Sequence, residues 1–351
     1  TLIKKTYKGR VIGWPGNMAG AEVIQFMMKK ASAAPKGVDL TTGYNYPQLI
    51  SKFTMGAVFY NQACTNYLGD KKLSSASKPN DAPYKKGAKY TGKEHVWDEA
   101  FGYWGAAAHT LTLSPKQSYE VAKKKNLTAA DYNKDGVVDA GTEMTYAHAY
   151  YASGFDKGGK TNYLETVTRA FLTGRETITS AKGQKLGWNG RNGGKGIIKQ
   201  AAIICSNWEK VIAEAVFKYA GSVYKDLENM KENTDDAKMV GKYVKHWGEL
   251  KGFALALEVG KADRSAIANK LTGLMGYGPW LPNLSQVVDV SANGNYVKDE
   301  SSSLESYQMH MLKIQKLMVD EFGIKARNND MLGSMGDLAA KLGGSGYAEN
   351  D

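Results

Sequence analysis

The sequence predicts a mostly α fold, and three observations carry the prediction. Apolar residues recur at three-and-four spacing wherever a pattern is legible, and no run of alternating strand residues stands out. The chain has 351 residues, 42% of them hydrophobic and 11% aromatic, enough to bury a full core and to exclude disorder. No stretch approaches the ~18 uncharged apolar residues of a membrane-spanning helix. The longest apolar runs, 201–205 and 253–257, have the length of core-helix segments.

The elements follow in order. Asn17 caps a helix to about residue 30, after the turn formers Trp14, Pro15 and Gly16. A helix over 47–68 carries Leu49, Phe53, Gly56, Tyr60, Cys64 and Tyr67 on one stripe. Others are expected over 94–109, 115–124 and 140–153, then 163–178, 197–224, 236–258 and 303–322, with a short one at 331–342. In the 197–224 helix, Ala201, Cys205, Trp208, Ile212, Ala215 and Tyr219 alternate steps of four and three, the seam of a bundle. Long polar or Gly-rich surface loops lie between helices, at 70–92, 154–161, 181–195 and 273–298, the last an ordered excursion. A Trp-x-Glu-x-x-Gly-aromatic pattern occurs at 97–103 and again at 247–253, with His95 and His246 beside it. It suggests a single all-α domain, 1–351, built of two pseudo-twofold halves at about 10–160 and 161–345.

The net charge of +11 comes from 46 basic and 35 acidic residues, but only six of the cations are Arg. Specific nucleic-acid readers favour the planar Arg fork over the diffuse Lys charge, so no specific nucleic-acid partner is expected. Lys-rich solvated helix faces are the main reading, with attraction to anionic polysaccharide or other anionic polymers as the alternative. The chain begins with Thr, as a processed exported chain would.

The strongest local motif is Asp131-Tyr132-Asn133-Lys134-Asp135-Gly136-Val137-Val138-Asp139. Oxygen side chains at positions 1, 3, 5 and 9, a Gly at 6 and the Val137 carbonyl at 7 form the spacing that wraps a Ca2+ ion. Position 12, where a bidentate acid closes such loops, is Thr142, and Glu143 one residue later is the candidate replacement. The role expected of the calcium is structural, because such a loop fills its coordination sphere with protein oxygens.

A second constellation sits on the 94–105 helix, where His95 is three residues from Asp98 and four from Glu99. With His246 and Glu249 as a second face, these side chains are candidate ligands of a transition metal. The alternative is a core helix with hydrogen-bonded histidines. The five His residues include no pair four apart, which argues against a zincin-type hydrolase, and there is no Gly-x-Ser-x-Gly elbow. The Gly-rich loop 188–196 could cradle an anion, but no strand precedes it and a turn is the better reading. Cys64 and Cys205, on apolar stripes, form either one disulfide or two buried thiols.

The residues Glu94-His95-Val96-Trp97-Asp98-Glu99-Ala100-Phe101-Gly102-Tyr103-Trp104-Gly105 resemble the signature helix of a bacterial family distantly related to the imelysins and found in exported lipoproteins. That family carries a calcium-type loop after this helix, similar to 131–139, and a later helix similar to 246–257. The resemblance covers roughly 7–274 and implies an imelysin-like double helical bundle in the periplasm, on the outer-membrane surface or secreted. It also implies an association with iron or other metal uptake. One imelysin branch has been labelled a metallopeptidase, a reading that rests on that label alone. The imelysin Gly-x-His-x-x-Glu falls here on His95 with Asp98 in place of Glu, and Gly92 lies one residue too far upstream. The competing expectation is a non-enzymatic, calcium-stabilised surface protein that self-associates, contacts other envelope proteins or binds anionic polymers.

Overall fold

The structure, a computed structural model, describes residues 2–74, 77–186, 194–231, 236–260 and 262–343. The chain is mostly α. Its first half holds α1 (Leu2–Lys5), α2 (Gly20–Ala33), α3 (Tyr46–Thr54), α4 (Asp70–Leu73), α5 (Gly92–Trp104), α6 (Pro115–Ala122), α7 (Leu127–Ala130) and α8 (Ala147–Asp156). Then come α9 (Tyr163–Ser180), α10 (Gly194–Met230), α11 (Ala237–Leu257), α12 (Ser265–Met275), α13 (Leu304–Phe322) and α14 (Met335–Lys341). Residues 188–193 of the Gly-rich loop lie outside the described residues.

At three places where helices differ from the sequence expectation, local backbone chemistry supplies the reason, whereas α8, expected over 140–153, simply begins later, at Ala147. Asn17 adopts a left-handed φ of 52°, so α2 starts three residues later. The 47–68 helix runs on from α3 as a π-helical segment, Met55–Tyr67, and Leu68 N–H bonds Ala63 O at 2.8 Å, five residues back. Gly105, at φ 83°, stops α5 at Trp104, short of the expected 109.

The chain forms two compact units. Thr1–Ala57 and Ile212–Asp351 make the first, and Val58–Val211 the second. These boundaries differ from the halves at 10–160 and 161–345, because the first unit joins both ends of the chain. Each unit contains one copy of the Trp-x-Glu-x-x-Gly-aromatic pattern.

In the first unit, α11 crosses α3 over small residues. A methyl group on Gly56 would meet Ala256 Cα at 2.4 Å, and one on Gly252 would meet Lys52 Cβ at 2.6 Å. Only glycine permits that approach. Around the crossing, Trp14, Tyr44, Tyr46, Tyr243, Trp247 and Tyr307 are all buried. Each tyrosine hydroxyl has a partner: Tyr44 donates to Tyr277 O (3.1 Å) and Tyr243 to Trp280 O (2.9 Å), while Tyr46 meets Tyr296 at 2.9 Å. Trp247 Nε1 donates to the Tyr307 hydroxyl at 2.8 Å, and that hydroxyl in turn donates to Met275 O.

A short antiparallel pair, β1 (Val38–Asp39) and β2 (Tyr44–Asn45), precedes α3, and the 273–298 excursion leads into an antiparallel hairpin of β3 (Ser285–Val290) and β4 (Tyr296–Glu300), paired from Ser285↔Glu300 to Val290↔Tyr296 with a bulge at 287/289. Only Val287 of β3 is buried, so the alternation that betrays a strand is missing.

In the second unit, Trp97 on α5 lies against α9, its Nε1 donating to Phe171 O at 2.8 Å. A Cβ at Gly174 would fall 1.9 Å from the Trp97 ring. Cys64 and Cys205 are joined as a disulfide with Cα atoms 5.7 Å apart.

Most lysines are at least partly exposed, but Lys93 and Lys251 are not. The Lys93 amine donates to Lys72 O, Ser74 O and Ser77 O, and burial pulls its pKa down to about 8. Burial likewise pulls Lys251 down to about 7, although Glu258 opposes the shift, and its amine donates to Gly276 O.

Glu214, fully buried on α10, accepts the backbone N–H groups of Lys325, Ala326 and Arg327 at 2.8, 2.6 and 2.9 Å. Truncation strands those three donors, at ~1–3 kcal/mol for each unsatisfied buried group. Glu214→Ala is therefore expected to lower unfolding stability by about 3 kcal/mol or more, measured by chemical denaturation. A loss below about 1 kcal/mol would show that the segment 325–327 does not rely on this carboxylate.

Candidate functional site

The loop that follows α7 is closed by its own amides. Asp131 Oδ2 accepts from Gly136 N (3.0 Å), Asn133 Oδ1 from Asp135 N (3.0 Å), and Asp135 Oδ1 from Val137 N (2.8 Å). Gly136 sits at φ 85°, where a side chain would be strained. Asp139 Oδ1 accepts from Gly141 N and Thr142 N. Glu143, only 5% exposed, turns back into the loop, with Oε1 accepting from Tyr132 N and Asn133 N and Oε2 from Asp139 N. It is thus Glu143, not Thr142, whose carboxylate closes the loop. One oxygen is left over: Asp131 Oδ1 is buried with no hydrogen-bond partner.

The loop is pinned at both ends. Ala108 N donates to Thr142 O and Tyr146 N to Gly105 O, both at 2.7 Å. Val138 packs against the small cluster of Val121, Ala130 and Met144, and Tyr132 stacks on His109 at 4.9 Å. Four carboxylates, Asp131, Asp135, Asp139 and Glu143, share this short segment with one cation, Lys134. An oxygen-only donor set in a segment with four acids and one base fits a hard divalent cation such as Ca2+. Among the described residues, no three His, Cys, Asp or Glu side chains converge as a metal would require, and in this loop the carboxylates are turned onto the loop amides.

On α5, Thr91 caps the helix and forms a capping box with Glu94. Arg175, from α9, bridges the first two turns: its NH1 bonds Glu94 Oε1 and its Nε bonds Asp98 Oδ1, both at 2.8 Å. Burial alone would raise the Glu94 pKa, but Thr91 N–H, the Thr179 hydroxyl and Arg175 together lower it. At Asp98 burial wins and the pKa is raised, although Arg175 opposes the change. Asp98 is therefore committed to Arg175, and His95 pairs loosely with Glu99 at 3.8 Å. The imidazole is covered by the Tyr84 ring at 3.8 Å, with Tyr90 at 5.7 Å.

His246 and Glu249 belong to the first unit, and both are engaged there. His246 Nδ1 lies 2.5 Å from Asp226 Oδ2, a buried carboxylate that also pairs with Lys242 at 3.0 Å. Tyr219 donates to Glu249 Oε1 at 3.2 Å.

The family model for the domain of unknown function DUF4856 matches residues 38–238. The chain belongs to that family. The match takes in the whole second unit, and with it α5, the 131–143 loop and both cysteines. No curated protein and no solved structure matches the chain.

Sequence reasoning missed Arg175, the residue that organises α5. Its partners lie 77 and 81 positions away, and its scarcity among so many lysines was the one available signal. It also missed the tyrosines that cover His95, since Tyr84 and Tyr90 fall in a segment with no periodicity.

Because the Glu94 pKa is lowered on folding, its contribution is present above the unfolded carboxylate pKa and disappears as pH falls through the lower folded value. Arg175→Met is expected to be less stable than the parent at pH 7 by about 1–3 kcal/mol for a hydrogen-bonded charge pair, with the gap narrowing toward pH 3. A gap that does not change with pH, in parallel denaturation series, would count against the pairing.

Proposed function

We propose that the protein is an exported bacterial envelope protein, related to the imelysins, whose 131–143 loop binds Ca2+ as a structural ion. Asp131, Asn133, Asp135, Asp139, Glu143 and the Val137 carbonyl are the proposed ligands. The observation that carries the reading is Asp131 Oδ1, a buried carboxylate oxygen without a partner at position 1 of an all-oxygen loop. A bound dication would satisfy that oxygen and relieve the mutual repulsion of four carboxylates. It would stiffen the segment tying α5 to α8, so its contribution is to stability and shape rather than to a reaction.

Two further features support export. The Cys64–Cys205 disulfide suits an oxidising compartment, where free calcium is also plentiful. The α5 sequence resembles the helix of exported imelysin relatives. Iron handling, which that resemblance implies, would use His95 and Glu99 with donors from outside the chain, since Asp98 is held by Arg175.

Calcium at a hundredfold excess over its dissociation constant stabilises a binding protein by about 2.7 kcal/mol. The thermal midpoint is therefore expected to rise by several degrees between EDTA and millimolar Ca2+, and Asp131→Ala or Glu143→Gln should abolish the rise. Equal midpoints in EDTA and Ca2+ would refute the reading.

The disulfide closes a loop of 141 residues, for which the chain-entropy model gives about 5 kcal/mol. Reductant should lower stability by several kcal/mol, and protein from its native compartment should contain no titratable thiol. Two free thiols in native material would argue against export.

A further inference from the structure

The segment between α4 and α5 contains a short cationic loop whose base is built with unusual care. Pro83 bridges Thr91, Tyr84 N donates to Tyr90 O at 2.9 Å, and Ala88 N turns back onto Lys85 O at 3.0 Å. Gly87, at φ 82°, makes the tip. Below the loop, Thr91 Oγ1 donates to the buried Asn80 side chain at 2.8 Å. The Asn80 amide donates in turn to Ile178 O and Ala181 O, both at 2.9 Å. Gly183 N donates to Asn80 O at 2.9 Å, and Lys182 Nζ reaches Lys89 O at 3.0 Å. Tyr84 and Tyr90 stack with their planes 21° apart, and Tyr84 also lies on His95.

All this anchoring presents charge. Lys85, Lys86 and Lys89 are exposed on the tip, Lys78 lies over the Tyr84 ring at 5.6 Å, and Lys182 stands beside the loop. The loop has no carboxylate of its own. Asp81 precedes it, and Glu94 and Asp98 on the next helix are already paired with Arg175. Holding like charges together on a fixed turn opposes folding, whereas a solvated lysine face usually intersperses acids. Beside the loop runs an open cleft of about 260 Å3, lined among others by Asn80, Asp81, Lys89, Tyr90 and Lys182.

We propose that loop 83–91 and this cleft form a docking site for an acidic polysaccharide, whose carboxylates pair with Lys85, Lys86, Lys89 and Lys182. The inference stands apart from the calcium reading. Polysaccharide is favoured over nucleic acid because, among the described residues, the site has lysines and no Arg fork to read phosphates or base edges. It is favoured over a lipid surface because the tip, Lys85-Lys86-Gly87-Ala88, offers no large apolar side chain to insert. The exposed edges of Tyr84 and Tyr90, 38% and 36% accessible, give the sugar rings an amphipathic surface to lie against.

The test is binding of the full chain to polygalacturonate, followed by affinity electrophoresis and calorimetry over a range of NaCl. The parent should bind, and salt should weaken it progressively. Neutral dextran should not bind. The triple variant Lys85→Ala, Lys86→Ala, Lys89→Ala should bind at least tenfold more weakly with a melting temperature equal to or above the parent's. If that variant folds poorly, the single exposed change Lys86→Glu should still weaken binding severalfold. Undiminished binding by a folded variant, salt-independent binding, or tighter binding of oligo-dT or of phosphatidylserine vesicles at equal ionic strength would each overturn the proposal.

Discussion

A buried carboxylate that gathers the backbone N–H groups of a neighbouring loop is the device on which much of this structure depends. Glu94, Glu143, Asp156 and Glu214 are each 5% exposed or less, and each accepts main-chain donors. Glu258 holds Gly13 N in the same way. Helical proteins must satisfy the free amides of helix starts and connecting loops, and an unpaired buried amide costs more than a hydrogen bond gains. Here one acidic side chain serves two or three donors at once. Asp156 takes Tyr163 N and Leu164 N at the start of α9, together with the Thr161 hydroxyl. The device explains why a lysine-rich protein keeps these few carboxylates inside.

The same groups show which electrostatic term prevails in each setting. Burial favours the neutral acid, and hydrogen bonds from backbone amides favour the anion. At Asp156 burial prevails despite two amides and a hydroxyl, and the pKa is raised. At Glu258, with the single amide of Gly13 and the charge of Lys251 opposing it, burial pushes the pKa up to about 8. At Glu94 the balance reverses, because Thr91, Thr179 and the Arg175 guanidinium act together. The arginine thus joins Thr91 and Thr179 in favouring the Glu94 anion in the first turn of α5, and it links that helix to α9 beside the Trp97–Gly174 contact.

Legibility in the sequence tracked the distance over which information acts. The Asp131–Asp139 spacing was readable because a loop folding on itself needs only neighbouring residues, and even the substitution of Glu143 for position 12 was within reach. Long helices such as α9, α11 and α13 were readable from their stripes. The β3–β4 hairpin was not, since one buried valine on β3 leaves no alternation to detect. Nor do local patterns reveal that Tyr44, Tyr46, Tyr243 and Tyr307 are core residues, since their hydroxyls find partners far along the chain.

By itself, then, the sequence determined the helical class, the approximate helix spans, the form of the 131–143 loop and the apolar placement of Cys64 and Cys205. These depend on periodicity and on turns a few residues long. Only the tertiary structure decided that the two cysteines are joined, that Asp98 serves Arg175, that His95 lies under Tyr84, and that the chain divides at 57/58 and 211/212. Those outcomes depend on pairs tens to hundreds of residues apart. Their partners are selected by packing and by the need to neutralise buried charge, which no local pattern encodes.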